Sequence, residues 1–119
     1  MSQYKLFDAE YKFMCIIWEH EPINSTELSR ICLAKLGWKK STTFNMIRRL
    51  SERNVLQNIN ATVTSIMKQE QMQRIESETV IEKSFSGSLP MFLTAFLEER
   101  KITRKEADEL KRIIEEATK

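Results

Sequence analysis

Glycine and proline are nearly missing from this chain, with two of each among 119 residues. Tight turns, phosphate-cradling loops and long irregular connections draw on those two residue types, so a mostly helical protein is expected. Groups that carry enzyme chemistry are just as scarce. The one histidine, His20, lies between Glu19 and Glu21, with no second ligand at metal-binding spacing and no glycine-rich loop. The two cysteines, Cys15 and Cys32, fall inside apolar helical patterns without a Cys-x-x-Cys or a histidine pair, and read as buried thiols rather than a disulfide or metal site. No catalysis, cofactor or metal is expected. No apolar run reaches the length of a membrane span, and the first five residues, Met-Ser-Gln-Tyr-Lys, lack the apolar core of a signal peptide. A cytoplasmic protein without membrane insertion is therefore expected.

Net charge is also small, +2 from 19 basic and 17 acidic side chains, which on its face argues against nucleic acid. The distribution reverses that inference. Residues 1–68 carry ten basic and six acidic groups, whereas residues 69–119 carry nine and eleven. Within the first part Lys35, Lys39, Lys40, Arg48, Arg49 and Arg53 face only Glu52 in the same window, forming a local basic patch. The length allows one small domain with a helical appendage, and the charge division places the boundary at 68: a reader over 1–68 and a second unit over 69–119.

Apolar spacing divides the first unit further. Asp8 precedes Phe13, Met14, Ile16, Ile17 and Trp18, a broad buried face that predicts a helix near 8–20 closed by Pro22. Asn24 with Glu27 has the spacing of a capping box and opens a second, short helix ending at Gly37. A third helix, near 40–54, is marked by Thr43, Met46, Ile47 and Leu50 at i, i+3, i+4 and i+7. Directly opposite that stripe fall Ser41, Asn45, Arg48 and Glu52, with Phe44 on one flank and Arg49 on the other. The period then changes to two: residues 56–59 and 62–66 around Asn60-Ala61 read as a hairpin. Three helices and a hairpin predict a winged helix-turn-helix domain, with the outer face of the third helix free to enter a major groove. In that role Asn45 suits an adenine edge, Arg48 guanine N7 and O6, and Phe44 a thymine methyl. Ser41 and Thr42 at the helix start, and Lys39, Lys40 and Arg49, suit phosphates. The hairpin contributes no cation, since none occurs between Val55 and Met67.

The second unit reads as three helices. Residues 68–85 have high helical propensity but a thin apolar stripe. Ser86-Gly87-Ser88-Leu89-Pro90 combines a stop, an N-cap and an early proline, opening a fifth helix through about Glu99 that is apolar nearly all round: Leu89, Met91, Phe92, Leu93, Ala95, Phe96 and Leu97. Thr103 and Glu106 form a capping box for a sixth, with Ala107, Leu110, Ile113, Ile114 and Ala117 as its stripe. About fifty residues bury too little surface to be stable alone. Completion of the core by a second copy is expected, through Phe85, Leu89, Phe92, Leu93, Phe96, Leu110, Ile113 and Ile114. A second reading, an adaptor that keeps the fold without DNA affinity, rests on the uncharged hairpin and the acidic second unit.

Phe7-Asp8-Ala9-Glu10-Tyr11, Ile16-Ile17-Trp18, Trp38-Lys39-Lys40-Ser41-Thr42-Thr43, Ile47-Arg48-Arg49-Leu50 and Phe85-Ser86-Gly87-Ser88-Leu89, followed by a Glu-rich last helix, occur in an order that resembles the penicillinase repressor family over nearly the whole chain. The resemblance implies a dimeric winged-helix repressor on a palindromic double-stranded operator, often of β-lactamase or related genes. It also implies release when a membrane receptor-protease system triggers cleavage in the fifth helix, commonly at an Asn-Phe bond. The matching bond here is Ala95-Phe96. Copper-responsive relatives carry Cys-x-Cys pairs near the C-terminus, and residues 114–119 have none.

Overall fold

The computed structural model describes residues 5–119. Along the chain run α1 (Asp8–His20), β1 (Ile23–Asn24), α2 (Ser25–Leu36), α3 (Lys40–Glu52), β2 (Leu56–Ile59), β3 (Thr62–Ser65), α4 (Gln69–Phe85), α5 (Leu89–Leu97) and α6 (Arg104–Ala117). The chain is mainly α with a small antiparallel sheet, a winged helix followed by three further helices. It divides into two compact units, one running to Ser77 and the other spanning Glu78–Lys119.

In the first unit the helical stripes meet in one core. Phe13, Met14 and Ile17 of α1, Leu28 and Cys32 of α2, and Met46, Ile47 and Leu50 of α3 are all buried. Trp38, between α2 and α3, stacks on Phe13 at 5.6 Å. Gly37 ends α2 at φ 69°, a left-handed conformation that costs glycine least and turns the chain into α3. Asn24 caps α2 by accepting from the Thr26 N–H at 2.8 Å, but the expected reciprocal arm is absent, because Glu27 pairs with Arg30 instead. Asp8 is the first residue of α1, and the N-cap is Phe7. Helix α3 stops at Glu52, two residues short of the expectation.

The wing forms where the alternation places it, with Leu56 opposite Ser65 and Ile59 opposite Thr62. A third strand, β1, was not legible as one: its two residues pair with Val63 and Thr62, making the order β1-β3-β2. The wing is fixed to α1 by Glu21, whose carboxylate accepts from the Ser65 N–H at 2.7 Å, and by Trp18, whose indole N–H donates to the Met67 carbonyl at 2.9 Å. The first turns of α4 belong to this unit, with Met72 buried and Ile75 packed against the core.

At the tip Asn60 and Ala61 hold φ of 52° and 64°. Such a two-residue turn matches the twist of a hairpin, but left-handed backbone costs a residue with a Cβ about 1–2 kcal/mol. Ala61→Gly is expected to stabilise the protein by roughly 0.5 kcal/mol after the greater unfolded-state freedom of glycine is subtracted. The measurement is the urea midpoint, and a lower midpoint would contradict this account.

The second unit is built on sound local signals. Ser88 accepts from the Met91 N–H to cap α5, and Thr103 and Glu106 cap α6 reciprocally at 3.0 and 3.3 Å. Phe92 packs edge-on against Phe85 at 5.4 Å and stacks on Phe96 at 5.8 Å. Yet no side chain of residues 78–119 is buried. Leu89, Met91, Phe96, Ile113 and Ile114 each leave about half their surface in solvent.

Candidate nucleic-acid interface

Helix α3 is amphipathic in the sense that matters for reading a groove. Its inner residues Thr43, Met46, Ile47 and Leu50 are buried, and Lys40, Ser41, Thr42, Asn45, Arg48 and Arg49 are exposed, as is Lys39 at the N-cap. Phe44 is half-buried and packs on the core, with the Lys40 ammonium 5.8 Å from its ring centroid. The Asn45 amide oxygen accepts from the Arg48 guanidinium at 3.4 Å, so two of the candidate base readers are adjacent in space as well as on the helix. Because α3 begins at Lys40, the N–H groups of its first turn and the positive end of its dipole lie beside Lys39, Ser41 and Thr42.

The basic patch is smaller than the charge count of the window suggested. Lys35 lies 3.9 Å from Glu19. Arg53 makes two bonds to the Glu10 carboxylate, at 3.0 and 3.1 Å, and also donates to the Lys5 carbonyl. Arg49 stands 3.7 Å from the same carboxylate. Glu10 itself is 2% exposed and accepts from the Phe7 N–H at 2.9 Å. Among the described residues, Lys39, Lys40 and Arg48 have no carboxylate within 4 Å. The free positive charge is therefore concentrated at the start and middle of α3, and its end is partly compensated, one carboxylate standing against two guanidiniums.

Glu10 is the charged residue beside this face that sequence reasoning passed over. A signal was present: Glu10, Phe13, Met14 and Ile17 fall at i, i+3, i+4 and i+7, which places a carboxylate on the buried stripe of α1. A carboxylate taken out of water is costly unless it is paired or hydrogen-bonded, so its place on that stripe signals a partner, and the fold supplies one from the end of α3.

Other candidate groups stay apart from this face. Burial pushes the Cys15 thiol up, reinforced by Glu19, and burial pushes the Cys32 thiol up against the opposing effect of the Thr43 hydroxyl. His20 shares a hydrogen bond with the Ile16 carbonyl at 2.9 Å. Among the described residues no group of three or more His, Cys, Asp or Glu is arranged to hold a metal, and no helix is long and apolar enough to cross a membrane.

A sequence model described as penicillinase repressor matches residues 6–116. The chain belongs to the penicillinase repressor family. It is similar to the penicillinase repressor of Bacillus licheniformis, 25% identical over 116 residues that cover 94% of this chain and 91% of the relative. Membership makes it a DNA-binding transcriptional repressor, in a regulatory rather than a catalytic family. The match includes both compact units and the whole of α3, so the family's regulatory role and the exposed face of that helix concern the same stretch of chain.

Proposed function

We propose that the protein is a cytoplasmic homodimeric repressor that binds a palindromic operator by inserting α3 of each copy into successive major grooves. The observation that carries this reading is α3 itself, which buries all four residues of its inner stripe and leaves Lys39, Lys40, Asn45 and Arg48 exposed. Asn45 and Arg48 serve as base readers, Phe44 as the apolar contact, and Lys39, Lys40, Ser41 and Thr42 as phosphate contacts. Arg49, drawn toward Glu10, is the one sequence candidate that this set leaves out. The apolar faces of α5 and α6 supply the dimer, which doubles the phosphate contacts of a weakly basic chain and sets half-sites one or two helical turns apart.

Release by cleavage at Ala95–Phe96, triggered by a membrane receptor-protease, completes the proposed cycle. Both residues are exposed, and the guanidinium of Arg100 lies over the Phe96 ring at 4.5 Å. A cut there detaches α6 from most of α5 and removes half of the apolar surface offered to a second copy.

Fluorescence titration with the promoter duplex upstream of its own gene, before and after incubation with that protease, tests the reading. Binding should exceed that of a scrambled duplex by at least about a thousandfold, weaken with salt, and disappear as a fragment ending at Ala95 accumulates. Equal affinity for both duplexes removes specific recognition. An uncut chain removes the release step alone. The adaptor reading, favoured only by the cation-free wing, predicts no binding to either duplex.

A further inference from the structure

The geometry points to Glu10 as a residue that limits the reader's affinity for phosphate, one that partly compensates Arg49 and keeps it from acting as a further phosphate contact. This rests on the reading of α3 as the DNA-contacting helix. Three observations converge. Glu10 is 2% exposed, fixed from behind by the Phe7 N–H and by two bonds from Arg53, so its charge cannot move away. Arg53 is about 70% covered and also donates to the Lys5 carbonyl, so it is structural rather than available to a ligand. Arg49, one turn earlier on α3, is 60% exposed and 3.7 Å from the same carboxylate, too long for a strong hydrogen bond but close enough to hold the guanidinium on the α1 side of the helix.

The cluster therefore sets one carboxylate against two guanidiniums on the flank of the reading face. Phosphate contacts carry no sequence information, and each one added raises affinity for every duplex alike. A repressor must find one site among a large excess of random ones, and affinity of that kind lengthens its stay on each of them. Glu10 limits it without touching DNA: it lowers the field at the end of α3 and leaves Arg48, one residue earlier, to act on a base. Lys39 and Lys40, at the other end of the helix, keep their full charge.

Two variants separate this role from a structural one. Arg49→Gln, at an exposed position, should leave affinity for a scrambled duplex within about twofold of wild type and the slope of log affinity against log salt unchanged. Glu10→Gln keeps an oxygen for Arg53 and the Phe7 N–H and removes the charge. It should raise affinity for the scrambled and promoter duplexes alike, about tenfold at low salt, and steepen both slopes by about one. The double variant should return to the wild-type slope. A loss of about one from the slope in Arg49→Gln would mean that Arg49 already sits on phosphate, and would overturn the proposal even if Glu10→Gln failed to fold. A folded Glu10→Gln with unchanged slope and affinity would overturn it as well. A wild-type protein that binds neither duplex overturns the repressor reading itself, and this inference falls with it.

Discussion

Ile113→Asp is expected to convert the protein to a monomer in sedimentation velocity and to weaken operator binding by roughly a hundredfold to ten-thousandfold, the gain that joining two half-sites normally confers. The size of the effect follows from where Ile113 sits. It is 57% exposed in the single chain, so a carboxylate there removes little packing within that chain, and the first unit, which has its own core, should stay folded. In a dimer that closes over α5 and α6, the same carboxylate enters a buried apolar contact without a cation, a loss of several kcal/mol. Ile114, also half-exposed, should behave alike, and Asp108→Asn, on the face of α6 opposite the apolar stripe, should do little. If Ile113→Asp sediments as wild type does, the apolar faces of the second unit are covered by something other than a second copy.

Arg48→Ala should cost about 1–3 kcal/mol at the operator, roughly tenfold to a hundredfold in the dissociation constant, with little change on a scrambled duplex. Lys40→Ala should weaken both duplexes to a similar degree and reduce the salt slope by about one. The contrast comes from geometry. Arg48 lies opposite the buried stripe, beside Asn45, where a planar guanidinium can meet the two acceptors of a guanine. Lys40 is the first residue of α3 and sits over the Phe44 ring, a place suited to backbone phosphate. If Arg48→Ala weakened both duplexes equally, Arg48 would be a phosphate contact, and base reading would pass to Asn45 and its neighbours.

Much of this was legible from residue order. The four-residue stripe of α3 emerged as a buried face because a helix fixes which side chains share a side, and its outer face followed from the same geometry. Gly37, Gly87, Pro22 and Pro90 all mark helix ends or starts, since a chain with so few breakers has little choice of where to use them. Strand β1 escaped notice because two residues are too few to show a period, and it becomes a strand only when Val63 and Thr62 come alongside. Glu27 had the spacing of a capping box, but its carboxylate pairs with Arg30, three residues on.

The sequence by itself determined the helices, the hairpin, the buried faces of the first unit and the family. Those depend on neighbours within about one helical turn or on motif order, and both are written along the chain. Tertiary structure alone decided how the charges are shared. The carboxylate that compensates Arg49 and Arg53 comes from Glu10, which lies 43 residues from Arg53 and meets it only because α1 and α3 pack on one core. Linear counting assigned the patch six cations and one opposing acid, and folding brings in Glu10 and Glu19 from α1. The few glycines and prolines mark where helices stop or start, but Coulomb forces act through space, and distance in space is not fixed by spacing in sequence.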